Sequence, residues 1–70
     1  MKTIKCEMAG TVIEIKAKVG DQVKPGQEIA VIESMKMEVP VVSKVSGTVS
    51  KVLKSAGDFL NDGEVLLELS

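Results

Sequence analysis

The sequence predicts an all-β domain: a flattened β-barrel or sandwich of two halves related by a pseudo-twofold axis, built from six to eight short strands. Three observations lead there. The apolar residues fall in short runs rich in Val and Ile, side chains that suit a pleated, half-buried surface. No segment carries a 3.6-residue apolar stripe, and Gly and Pro punctuate too often for long helices. The chain also repeats itself: displaced by 37 positions, Gly10-Thr11-Val12 falls on Gly47-Thr48-Val49, Gly20-Asp21 on Gly57-Asp58 and Gly26 on Gly63. Ile15 and Val52, Val23 and Leu60, Ile29 and Leu66, and Ile32 and Leu69 match in kind, and the register holds without a gap over residues 9–33. Reuse of Gly-Asp turns accounts for one such match, not for the whole register. Two repeats are too few for a solenoid, so each half must bury the other's apolar face.

The elements follow in order. Residues 3–7 alternate partly and read as an opening strand, and residues 8–10 as a turn. Residues 11–16 form the next strand. Val12 and Ile13 are adjacent there, and Val49 and Val52 are three apart in the second copy, so a bulge or an early strand end is expected in both. Gly20 to Gly26 is a loop with turn signals at both ends and Val23 as a core plug. In its counterpart Leu60 is the plug, and Phe59 beside it reads as core or rim packing. Residues 28–33 and 38–42 are strands, the latter at an edge or interrupted, because Pro40 cannot donate to a ladder. Residues 47–52 and 65–69 complete the second half. Residues 34–45 link the two halves.

The composition narrows the function. Residues 1–70 make a single small domain whose core is thin. It has one cysteine and no histidine, so neither an intrachain disulfide nor an imidazole metal site supports it. Formal net charge is −1, all nine cations are lysines interspersed with acids, and Phe59 is the sole aromatic; this excludes nucleic-acid binding. Apolar runs fall far short of the ~20 residues of a membrane helix. The first five residues lack the apolar segment of a signal peptide, which with the free thiol points to the cytoplasm. There is no catalytic set: no histidine base, no Ser or Cys beside a base, no phosphate loop. Cys6 reads as a small buried hydrophobe.

One stretch stands out at mid-chain: Glu33-Ser34-Met35-Lys36-Met37-Glu38. The flanking strands leave a hairpin-length connection, so a two-residue turn would centre on Met35-Lys36. Such turns demand positive φ and favour Asn-Gly, so Met and Lys are poor choices. A local rule broken at one place marks a functional demand, and methionines are over-used at adaptable binding surfaces. The plain alternative is that Lys36 is one solvated charge among nine, with Met35 and Met37 on one buried strand face.

The hexapeptide resembles the attachment motif of the biotinyl/lipoyl carrier domain family, in which a Met-Lys-Met tripeptide carries biotin on the lysine. Gly20-Asp21 with Gly26, and Ser46-Gly47-Thr48-Val49 with Gly57-Asp58 and Gly63, also fit the family pattern, so the resemblance covers essentially the whole chain. It is most similar to the short stand-alone bacterial biotin/lipoyl attachment proteins. Ser34 stands where most biotin carriers have Ala. The "thumb" between the halves and the Ala/Pro-rich N-terminal linker of one acetyl-CoA carboxylase carrier type are missing, so the resemblance does not extend to that type.

The resemblance implies a barrel-sandwich hybrid with the modified lysine at a hairpin tip. It implies covalent biotin on Lys36, with Met35 and Met37 recognised by a biotin protein ligase and Ser34, Glu33 and Glu38 as tip flanks. It implies a non-catalytic carrier that shuttles carboxybiotin between biotin carboxylase and carboxyltransferase subunits. Two alternatives stay open. Lipoate could occupy the same lysine, although lipoyl domains usually have Asp-Lys-Ala at the tip. An unmodified β adaptor of the same fold would have no use for Lys36 between methionines.

Overall fold

The structure, a computed structural model, describes residues 2–70. Among the described residues it contains eight strands and no helix: β1 (Lys2–Lys5), β2 (Gly10–Ile15), β3 (Gln22–Val23), β4 (Glu28–Ser34), β5 (Met37–Val42), β6 (Gly47–Val52), β7 (Phe59–Leu60) and β8 (Val65–Leu69). They form two antiparallel four-stranded sheets, ordered β1-β8-β6-β3 and β5-β4-β2-β7. The sandwich is the arrangement expected, because neither sheet can bury its apolar face alone.

Between the sheets, Ile29, Ile32, Leu60, Leu66, Leu67 and Leu69 are fully buried, with Val12, Val23 and Val49 beside them. The repeat reads directly in this core, since Ile29 and Leu66, Ile32 and Leu69, Val12 and Val49, and Val23 and Leu60 are counterparts. Both plugs lie in the two-residue strands β3 and β7. The bulge is present in both copies, between Val12 and Glu14 and between Val49 and Lys51. The Gly-Asp turns also match bond for bond. Asp21 N–H donates to Lys18 O and its carboxylate accepts from Lys18 N–H; Asp58 does the same with Ser55.

The symmetry extends beyond residues 9–33. β5 lies on β4 as β1 lies on β8: the pair Ile32–Val39 has its counterpart in Leu69–Lys2, and Glu28–Val42 in Val65–Lys5. Residues 34–45 are therefore not a mere link but contain a repeated strand. Cys6, buried just past β1, corresponds to buried Ser43; each side chain donates to a carbonyl two residues on, Met8 O and Val45 O. Glu7 and Lys44 are counterparts of opposite charge and form an ion pair across the axis. Pro40 sits in β5, an edge strand, where its missing donor costs no ladder bond.

Of the two readings for Phe59, core or rim, the structure selects the rim. Phe59 is 55% exposed, because β7 alternates and the inward position belongs to Leu60. It lies at the rim and not in the core.

Candidate functional site

The β4–β5 ladder ends at the pair Ser34–Met37, which leaves Met35 and Lys36 as a two-residue turn. Their φ angles are +55° and +64°, and they are the two non-glycine residues of positive φ among those described. This is the turn sense that matches the right-handed twist of the flanking strands. For residues with a Cβ it costs roughly 1–2 kcal/mol each. Six ladder pairs from Glu28–Val42 to Ser34–Met37 over-determine the hairpin and hold the strain in place.

The turn sends its side chains outward. Lys36 is exposed, Met35 is 92% exposed and Met37 is 66% exposed. The alternative of a buried methionine face is thereby overturned: a two-residue turn breaks the strand alternation on which that face depended. None of the ion pairs among the described residues involves Lys36. Ser34 is half-buried at the ladder's end, and Glu33 and Glu38 are exposed and directly opposed one step further in. Like charges opposed in this way disfavour the hairpin, a second local cost at the same place. The strands of this sheet carry Glu14, Glu28, Glu33 and Glu38 and no lysine, whereas those of the other carry Lys2, Lys5, Lys51 and Glu68. Lys36 is thus a cation at one end of an acidic sheet, while at the other Lys16, just past β2, pairs with Glu28.

The hairpin's footing was not legible in the sequence. A Cβ on Gly10 would lie 2.6 Å from the backbone oxygen of Glu33, and one on Gly47 would lie 2.9 Å from that of Ser70. Glycine at these counterpart positions lets β2 and β6 close against their neighbours. A glycine opening a strand gives no hint of such an approach beyond its recurrence in the repeat.

Chemically the tip offers one primary amine, reachable from solvent and without an acid–base partner. Among the described residues no group of three His, Cys, Asp or Glu side chains could hold a metal ion, and the one cysteine is buried. No helix there is long and apolar enough to cross a membrane.

The sequence model of the family described as "Biotin-requiring enzyme" matches residues 2–69. A biotin/lipoyl attachment protein of Bacillus subtilis is 53% identical over 68 residues, covering 97% of this chain and 93% of the relative. A protein of Mycobacterium leprae described as a homologue of a biotinylated protein is 39% identical over 67 residues, covering 96% and 94%. Among solved structures, Kluyveromyces lactis urea carboxylase matches with a TM-score of 0.89 at 32% identity, over 99% of this chain and 6% of that one. The lipoyl domain of the Azotobacter vinelandii 2-oxoglutarate dehydrogenase complex matches with a TM-score of 0.78 at 29% identity, over 100% and 96%.

Proposed function

The chain belongs to the biotin/lipoyl attachment family, as a carrier domain and not a catalyst, and on that footing we propose that it is a biotin carboxyl carrier with biotin in amide linkage to Lys36. The observation that carries this reading is the Met35-Lys36 turn, where an amine is held out in a strained conformation between two exposed methionines. A site of no consequence would relax to Asn-Gly.

The residues present fit the group. Loading requires a primary amine that an activated acyl donor can reach, and Lys36 meets that requirement. In the loading step a biotin protein ligase presents biotinyl-adenylate. Lys36 Nζ attacks the acyl carbon, the C–N bond forms, the acyl–phosphate bond breaks, and AMP and a proton leave. The ligase supplies the catalysis; the carrier supplies position. Met35 and Met37 give the ligase an adaptable apolar contact, with Ser34, Glu33 and Glu38 on its flanks. Acylation removes one positive charge from a chain of formal net charge −1.

Loaded, the domain moves its arm between a biotin carboxylase and a carboxyltransferase. Tethering replaces free diffusion with a local search at high effective concentration. We place the carrier in the cytoplasm, in keeping with its single, unpaired cysteine.

Lipoate on the same lysine is the second reading, favoured by the match to a lipoyl domain over the whole chain. Intact-mass measurement of the protein from cells supplied with both acids separates the two. A gain of one biotinyl group is the expected outcome, and a lipoyl gain favours the second reading. No gain overturns both, and uptake by Lys36→Arg overturns the assignment of the site.

A further inference from the structure

The sandwich is open along one seam. β1 and β5 are the outer strands of their sheets and do not pair with each other. The groove beside them has a volume of about 420 Å³, within the roughly 300–1,000 Å³ of small-molecule sites. We propose that this groove is a resting site for the acyl arm carried on Lys36, a proposal that rests on the reading of Lys36 as the attachment point.

The groove has the right chemistry. Ile4 and Ile32, both buried, lie at its floor, while Val39, Val41 and Val45 line it half-buried against the core. Met8, 42% exposed, stands at its rim. Such walls suit an aliphatic acyl chain and a thioether ring. Edge strands also leave alternate backbone N–H and C=O groups without ladder partners. A cyclic urea, with one acceptor and two N–H donors, can pair with groups of that kind. The Glu7–Lys44 ion pair contributes two further groups to the lining and sets a polar limit to the site.

The groove is also within reach. Its near end is the pair Ile32–Val39, two ladder steps inside the Ser34–Met37 pair. At about 3.3 Å per strand residue, Val39 lies roughly 10 Å from Lys36. The lysine's four-carbon stem, continued by the valeryl chain, spans that distance. A short tether gives an effective concentration of about millimolar. An intrinsic affinity no better than millimolar therefore suffices for half occupancy, weak enough for partner enzymes to withdraw the arm.

The test does not depend on loading. The unmodified full chain, labelled with ¹⁵N, is titrated with N-acetylbiocytin to about 10 mM, above the effective concentration of a short tether. Saturable shifts are expected for the amides of residues 4–8 and 39–45, Pro40 having none. Met8→Asp, a change at the exposed rim, should weaken them severalfold. Biotin attached to Lys36 should shift the same amides beyond the local changes at residues 34–38. Absence of shifts along the seam, or shifts confined to the tip in the loaded chain, overturns the resting site and leaves the carrier reading intact. Absence of any mass gain in cells overturns that reading and the tethered occupant with it.

Discussion

Lys36 stands out at the hairpin tip because of where its backbone has been forced to go. Met35 and Lys36 hold φ of +55° and +64°, a conformation that Asn or Gly adopts at little cost. Met35→Asn should therefore stabilise the fold by about 1 kcal/mol, raising the melting temperature by roughly 4–8 °C in a domain of this size. On the proposed reading of Met35 as a ligase contact, the same change should also slow loading by a biotin ligase. Thermal unfolding by circular dichroism checks the first part and the rate of biotin incorporation the second; a lowered melting temperature would contradict the strain argument. The turn itself was legible, since two strands flanked a connection with unsuitable residues. The outward orientation of Phe59 was not, because a two-residue strand is too short to show an alternation.

At the scale of elements, the two halves supply controls for each other. In the turn before β8, Glu64 accepts from Asn61 N–H at 2.9 Å and pairs with Lys54 at 2.7 Å. The Asn61 N–H and then Lys54 hold its carboxyl below the ordinary value of 4.5. The counterpart turn uses Gln27, which accepts from Lys24 N–H at 3.2 Å and does not titrate. A carboxylate whose pKa is lowered by folding stabilises the fold above its unfolded value, and the contribution fades as pH falls through the folded one. Glu64→Gln should accordingly flatten the loss of stability between pH 5 and pH 3 (approximate bounds of a carboxylate transition), as read from urea midpoints. An unchanged acid limb would remove Glu64 as a contributor. The footing of the hairpin gives a sharper case. Gly10→Ala would press a Cβ to 2.6 Å from Glu33 O, so β2 and β4 must separate. The expected cost is roughly 2 kcal/mol, toward the upper part of the usual range for single substitutions, and a melting temperature lower by about 10 °C. The bulges, the edge placement of β5 and the six longer strands could be read from apolar spacing, Pro40 and the turn residues. The equivalence of β1 and β5 could not. Lys2, Thr3 and Lys5 stand opposite Val39, Pro40 and Val42, and only Ile4 and Val41 match in kind.

For the molecule as a whole, the question is whether either half can stand without the other. Each sheet contains strands of both halves: β1 and β3 join β8 and β6 in one, and β7 joins β5, β4 and β2 in the other. Val12 N–H donates to Asp58 O and Val49 N–H to Asp21 O, so the plug loops are bonded crosswise as well. Ile29 and Leu66, counterparts in the repeat, are both fully buried in the one core. A chain of 70 residues has a stability of roughly 4–10 kcal/mol at the usual 0.05–0.15 kcal/mol per residue. Truncating a buried Ile or Leu to Ala costs about 2–5 kcal/mol. Ile29→Ala and Leu66→Ala should each therefore remove a large share of the total, by similar amounts, although one lies in each half. Unfolding should remain two-state, with probes at Lys36 and at Phe59 reporting the same urea midpoint in both variants. If Leu66→Ala melted the second half while the hairpin bearing Lys36 kept its wild-type midpoint, the halves would be separable units. The carrier's rigidity at the tip would then owe nothing to residues 46–70. Coincident midpoints mean instead that residues 46–70 share in keeping Lys36 presented.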